Sequence, residues 1–447
     1  MDAVVNDIKA EKYPSYKDSG LEWLGEIPEH WDVRRIKHLF IEINERSNNG
    51  DEVLLSVSQY TGVTKKSDKV EDGELLTTAN TLEGYKKVYK GDLVSNIMLA
   101  WNGSLGFSFF DGITSPAYSI YRLVGENNNR YFHYLLRTDI YKAEFKRNSS
   151  GVIDSRLRLY SDDFFRITSI LPPKSEQTAI AQFLDRKTVL IDHAIGIKEK
   201  QIELLKERRQ IQIHKAVTNG LNPDIKMKYS GVNWIGKIPE HWEVKRLKYI
   251  LNERIERSIS GNEPLLMMSQ VHGLVIRADF HDKAEVAKST EGDKIVLKND
   301  LVFNKLKAHL GVFFKSTIDF PGIVSPDYAV YYSNGVIDDL KYLELIFRTP
   351  EYLREFVCRT TGIVEGLMRL YTKDLFDIPM IVPPVEEQTQ ILKFIEVATL
   401  KIGKAISLKE KEIEKLKEYK TTLINSSVTG KIKIYRDEES IIQSGKQ

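Results

Sequence analysis

The chain is poor in the features that mark several broad protein classes. It holds one cysteine, Cys358, in 447 residues, so it forms no internal disulfide and no cysteine-built zinc or iron–sulfur cage. It has no run of about 18 apolar residues, so no membrane span and no membrane association are expected. Residues 1–15 are polar and charged, unlike a secretory leader. A reducing, cytoplasmic setting is the simplest expectation.

An excess of charge of one sign is missing too. The chain has 65 Lys and Arg against 63 Asp and Glu, a formal net charge of +2, so nucleic-acid binding would need local basic surfaces. Neither G-x-G-x-x-G nor G-x-x-x-x-G-K-[ST] occurs, and the nine histidines include no H-E-x-x-H. A methyltransferase would need an Asn/Asp-Pro-Pro-aromatic motif. The two proline pairs stand in "LPPK" and "VPPV", without the amide or acid. The sequence therefore reads as non-enzymatic, with no catalytic residue, no metal and no cofactor expected.

What the chain does have is repetition. Length, with 42% hydrophobic and 29% charged residues, fits a soluble protein of two or more domains. "IPEHW" occurs at 27–31 and again at 238–242, 211 positions on. Around it, "GLEWLGEIPEHWDVRRIKHLF" (20–40) matches "GVNWIGKIPEHWEVKRLKYIL" (231–251) at eleven positions. The same offset joins Ser58-Gln59 to Ser269-Gln270, Arg137-Thr138 to Arg348-Thr349, "RLY" 158–160 to 369–371, Pro172-Pro173 to Pro383-Pro384, and "EQT" 176–178 to 387–389. In between, the register slips to 208 for "DLV" (92–94, 300–302) and 210 for "SPAY"/"SPDY". A framework is held while its interior diverges, so the chain contains two copies of one module. The Trp and Ile of the repeated word are expected in the core, with its Pro fixing the chain path.

Within a copy, residues 52–125 show short apolar runs broken by Gly, Asn and Asp, which predict short strands and turns. Tyr131, Tyr134, Leu135, Ile140 and Phe145 stand at helical spacing, which predicts one helix over 129–148. "RLRLYSDDFFRITSILPP" predicts a strand stopped by the proline pair. Beyond each pair, from Ser175 to about Val217 and from Glu386 to about Val428, no proline intervenes, and "SEQ" supplies a Ser cap with acid in the first turn. Ile180, Leu184, Ile191, Ile195, Ile202 and Leu205 form one apolar stripe; Ile395, Ala398, Ile402, Ala405, Ile413, Leu416 and Leu423 form the other. Such rods, roughly 60 Å long at about 1.5 Å per residue, need a partner helix along the stripe. The expected fold class is therefore α+β: two tandem α+β domains (1–171 and 223–382), joined by helical regions (172–222 and 383–430) that pair as an antiparallel coiled coil with pseudo-twofold symmetry. A polar tail covers 431–447.

Twofold symmetry of this kind matches that of the duplex DNA backbone, so two diverged modules could read two different segments in opposite orientation. The "IPEHW" opener, the "SG…RLY" turn, the "LPPKSEQTAIAQFLD" exit and the long helix, each given twice, resemble the specificity subunit of type I restriction–modification systems. The likeness spans 20–40, 150–221, 231–251 and 361–430. It implies a DNA-reading protein without catalysis of its own, whose two α+β domains are target-recognition domains. Its implied partners are double-stranded DNA, two modification (methyltransferase) subunits and the restriction (translocase–nuclease) subunits. The diverged interiors, roughly 41–145 and 252–356, would carry base readout. A competing reading is an autonomous regulator binding a bipartite site without catalytic partners.

Base edges and phosphates are best met by Arg, Lys, Asn, Gln and aromatic side chains. Candidate contacts in the first copy are Gln59, Tyr60, Lys65, Lys66, Asn102, Lys146, Arg147 and Asn148. In the second they are Gln270, His272, Asn304, Lys305, Lys307, His309 and Arg359. Arg156, Arg158, Tyr160, Arg369 and Tyr371 of the repeated turn are read as structural or phosphate-binding residues.

Overall fold

In the computed structural model, residues 11–69, 79, 81–153, 156–269, 272–280, 290–362 and 368–434 are described. The repeated word opens each copy in the same way. In the first, strand Glu26–Pro28 pairs antiparallel with Tyr16–Asp18, and the chain turns through a fully buried Trp31 into strand Asp32–Arg35. That strand pairs with Thr168–Leu171, the last strand before the proline pair, so the module's beginning and end lie side by side. In the second, Lys237–Pro239 pairs with Met227–Tyr229, and Glu243–Arg246 pairs with Pro379–Val382.

Between these closing strands lies a four-stranded antiparallel sheet. In the first copy its order is Phe40–Ile43, Tyr118–Leu123, Asp92–Asn96, Leu105–Phe107; in the second, Leu251–Glu253, Tyr328–Ser333, Leu301–Asn304, Phe313–Lys315. A hairpin accompanies each sheet, Leu55–Ser58 with Gly62–Lys65 and Leu266–Ser269 with Gly273–Ile276. Apolar side chains of each hairpin pack on its sheet: Leu55, Val57 and Val63 join Val94 and Ile120, while Leu266 and Leu274 join Val302 and Val330. The α+β modules expected from the sequence are present twice, with the same strand order.

Three local expectations are corrected. The helix over 129–148 is two helices, Asn129–Leu135 and Asp139–Arg147, because Thr138 is extended (ψ 153°) and its hydroxyl accepts from the Tyr141 N–H, capping the second. Thr349 of the "RT" pair breaks the chain at the equivalent place, before Pro350–Arg359. The segment after Arg158 is not one strand: Ser161–Arg166 is a short helix that buries Phe164, and only Thr168–Leu171 is extended. The first long helix begins at Lys174, ahead of Ser175, and spans Lys174–Asn219; the second spans Val385–Val428. At about 1.5 Å per residue, their 46 and 44 residues are about 69 and 66 Å long.

Chain packing divides the protein into two units, Met1–Glu199 with Glu410–Gln447, and Lys200–Lys409. Each unit holds one module and half of each long helix, and the halves run antiparallel. In the first unit Asp192 accepts from Lys420 (2.6 and 2.7 Å) and Lys198 pairs with Glu412, so one helix ascends as the other descends. In the second, Ala216 and Val217 share a core with Ile391 and Ile395. The buried stripes are Ile180, Leu184, Ile191, Ile195 and Ile202, and Ile391, Ile395, Ile402, Ile406, Ile413, Leu416 and Leu423. Ile406 takes the place expected for Ala405, keeping the larger side chain in the seam and the spacing near 3.5 residues.

The repeated words also meet in space. In the first unit the Trp31 indole N–H donates to Glu176 (3.0 Å), His30 Nε2 lies 2.6 Å from the same carboxylate, and the Tyr13 hydroxyl donates to it at 2.9 Å. In the second, Trp242 and His241 hold Glu387 at 2.9 and 2.7 Å. The neighbouring glutamines are buried. Gln177 donates to the Pro172 carbonyl and accepts from Asn128 N–H; Gln388 does the same with Pro383 and Asp338. "HW" and "EQ" are two halves of one latch between a module's opening and the first turn of its long helix.

Candidate nucleic-acid interface

In the first unit two of the candidate residues, Gln59 and Tyr60, meet at Arg137. The hairpin Leu55–Lys65 turns at Tyr60, which is 83% exposed. Arg137, from the loop before helix Asp139–Arg147, donates to the carbonyls of Gln59 (2.7 Å), Tyr60 (3.0 Å) and Leu105 (3.2 Å). One guanidinium thus ties the hairpin tip to the strand that follows Asn102. Burial, and then Arg130, lower its affinity for its proton relative to a free arginine. Gly62 permits the approach: it has φ +70°, and a Cβ there would stand 2.6 Å from the guanidinium. Beside the strand, Trp101 lies under Lys146, whose Nζ is 5.2 Å from the ring centroid. Arg137 thus supports the hairpin tip at Tyr60, while Trp101, next to Asn102 in sequence, supports Lys146. Lys65 sits over Phe110 at 5.2 Å, and the Lys66 backbone N–H closes the hairpin on Leu54.

Two candidates are engaged elsewhere. Glu144, buried in helix Asp139–Arg147, accepts from Arg147 (2.7 Å) and Asn148 (2.9 Å), and Asn148 also donates to the Glu144 carbonyl. These side chains secure the helix end. The "SG…RLY" turn is a small bridge, Ser150 with Arg158 and Thr361 with Arg369, and the residue after each bridge donates to the loop below, Leu159 to Ile97 and Leu370 to Lys305.

In the second unit Asn304 turns the chain: its side chain accepts from the Leu306 N–H (3.0 Å), as Asn96 does from Met98 (3.1 Å). Lys305 is half-buried, and burial followed by the nearby Lys294 lowers its ammonium below the usual lysine range. Lys307 is exposed at a kink with φ −122° and ψ 23°. His272 lies against Phe280 at 4.9 Å, and Arg359 is held by Glu355 (2.6 Å). Gln270 lies outside the described residues, as does the side chain of His309.

Arg137, Glu176 and Glu387 were absent from the candidate contacts. All three stand in words repeated at the 211 offset, and that was the available signal. A twisted two-stranded ribbon of the hairpin's size is one of the elements that fits a DNA major groove. Among the described residues no group of three His, Cys, Asp or Glu could hold a metal ion, and no helix is long and apolar enough to cross a membrane.

The chain is thus built from two copies of one α+β module, each latched to a long helix and each carrying a hairpin of divergent sequence. The family model described as type I restriction modification DNA specificity domain matches residues 28–207. A Methanocaldococcus jannaschii protein, named provisionally as the type I restriction enzyme MjaX specificity subunit, is 27% identical over 92% of this chain and 96% of its own. The type I restriction enzyme MjaVIII specificity subunit of the same organism is 24% identical over 91% and 94%. A chain solved in a study of complex assembly and conformational transition of the type I R-M system superposes with a TM-score of 0.64, at 13% identity, over 90% of this chain and 99% of that one. Along nine-tenths of its length the chain is thus similar to specificity subunits of type I restriction–modification systems.

Proposed function

We propose that the chain is the DNA-reading component of such a system, with each module reading one segment of a bipartite, asymmetric target. It docks two modification (methyltransferase) subunits and, in the restriction complex, the restriction subunits. The observation that carries this reading is the contrast within each copy. The Trp–His–Glu latch is the same in both, whereas within the shared Ser-Gln…Gly frame of the hairpin tip Tyr60-Thr61 gives way to Val271-His272, and the stretch after Asn96 or Asn304 diverges from IMLAWNG to KLKAHLG. Identical frames with different faces are what two unlike DNA segments require. The continuous long helices would set the length of the unread spacer.

Sequencing for methylated bases in cells with and without the chain tests the proposal. A bipartite motif that disappears with the chain is expected. Unchanged methylation, with tight site-specific binding by the isolated chain, would favour an autonomous regulator. Binding by the isolated chain is expected to be weak and to fall steeply with salt.

A further inference from the structure

The glycine that follows each hairpin tip meets a different group in the two modules. A Cβ on Gly62 would stand 2.6 Å from the Arg137 guanidinium, whereas one on Gly273 would stand 3.6 Å from the Phe314 ring. The strand register accounts for the exchange: Gly106 lies opposite Val94 in the first sheet as Phe314 lies opposite Val302 in the second. A side chain on Gly106 would crowd the guanidinium, its Cβ already 3.4 Å away. With glycine there, Arg137 reaches the tip carbonyls of Gln59 and Tyr60. With phenylalanine there, Arg348 lies over the ring at 4.7 Å and donates to the Phe313 carbonyl (3.1 Å).

Charge follows the same division. Arg348 is paired with Glu344 at 3.1 Å. His133 holds the place of that glutamate; burial, followed by Arg137 and Arg130, lowers it to about 3, so it stays neutral and supplies no counter-charge. Arg130 has Asp185 at 2.6 Å, but among the described residues no carboxylate pairs with Arg137. A half-buried charge without a partner is costly. The tip's amide is turned outward as well. The peptide between Gln59 and Tyr60 is trans, so the carbonyl held by Arg137 points the Tyr60 N–H away from the guanidinium. Among the described residues that N–H has no acceptor.

We propose that the Tyr60 N–H, backed by the uncompensated Arg137, seats one phosphate of the DNA backbone. The second module, whose arginine is already neutralised, grips its own segment without such a seat. Arg137 is then a positioning residue: it spends its donors on carbonyls, fixing the tip and supplying charge without reading a base edge. A phosphate fits because it brings the negative charge that the guanidinium lacks and accepts from the outward amide. The inference rests on the DNA reading proposed above, and adds that the two segments are held by unequal electrostatics.

The test is binding of the target duplex by the full chain assembled with its modification subunits, measured against salt. His133→Glu copies the second module's acid beneath the tip, where Glu344 accepts the Lys315 N–H as His133 accepts that of Phe107. Arg137→Gln removes the charge and keeps a donor. In either variant the plot of log affinity against log salt should be shallower than the wild type's by about one, so that a roughly fourfold rise in salt costs about 3.5-fold less affinity. Replacing duplex phosphates singly by neutral methylphosphonates should find one position that costs the wild type affinity and costs the variants nothing. An unchanged slope in both variants, or no position that separates them from the wild type, overturns the inference and leaves the DNA reading intact. A wild-type complex that binds no specific site overturns the DNA reading, and the inference with it. Competition by inorganic phosphate beyond that of chloride at equal ionic strength, with no duplex position standing out, would assign the seat to a free anion and also overturn it.

Discussion

Aligned on their shared frame, the two modules solve the same structural problems with different residues. A buried aspartate near the start of the central strand, Asp92 or Asp300, caps a turn and needs a cation. In the first module Arg122 supplies it from the neighbouring strand, at 2.8 and 3.0 Å. In the second the guanidinium comes from Arg254, beyond the opposite edge strand, at 2.7 and 2.9 Å, and Tyr332 occupies the place of Arg122. Likewise the edge-strand N–H is received by His133 in one module (Phe107 N–H, 3.4 Å) and by Glu344 in the other (Lys315 N–H, 2.9 Å). Glu344 is compensated by Lys341 and Arg348, whereas His133 stands near Arg130 and Arg137 and has to stay neutral. The duplicated frame constrains what each position must do electrically; it leaves open which residue does it.

The aspartate exchange predicts the largest effects. Arg122→Tyr leaves Asp92 buried without its cation and should cost about 3 kcal/mol in urea unfolding. Adding Ile43→Arg, the position of Arg254, should recover most of it; no recovery would mean that the two solutions are not interchangeable. Next, Glu176→Gln should cost about 1–3 kcal/mol. Glu387→Gln should cost less, because only the first latch has the additional Tyr13 donor. Equal losses in thermal melts would dismiss that difference.

A smaller effect depends on pH. Burial, reinforced by Arg137 and Arg130, lowers His133 from 6.5 to about 3. Between those values the unfolded chain binds the proton and the folded chain does not, so stability should fall as pH drops below 6.5 and finish falling near 3. His133→Gln should flatten that slope in melts recorded from pH 7 to 4. Smallest of all, Tyr60→Ala should change stability by no more than about 0.5 kcal/mol. It should nonetheless reduce site-specific DNA binding by the assembled complex in filter or fluorescence assays.

Much of this architecture was legible in the sequence because duplication supplied an internal ruler. The modules, both long helices to within two residues, and the closing proline pairs follow from the 211 offset and from helical spacing. The break at Thr138 was hidden because the apolar spacing continues across it, and only the threonine cap reveals it. The short helix at Ser161–Arg166 was concealed by aromatic residues that suit a strand equally well. Individual contact residues were least legible. Whether Arg147 and Asn148 face solvent or secure a helix end depends on Glu144, whose burial only the fold reveals. The arginine exchange was invisible for a related reason: the two cations lie on different strands, so no alignment of the copies pairs them.

The ends of the long helices carry a consequence for biosynthesis. Tyr131 donates to the carbonyl of Val428 and Tyr16 to that of Gly430, while Tyr342 donates to that of Val217. Gly430 and Gly220 (φ +75° and +78°) pass so close to Pro28 and Glu387 that a Cβ would collide. The module that leaves the ribosome first is thus missing its last wall until residue 430 has emerged, whereas the later one finds everything it needs within 200–409. Maturation would run against the direction of translation, and the early module would spend the interval open to proteases and chaperones.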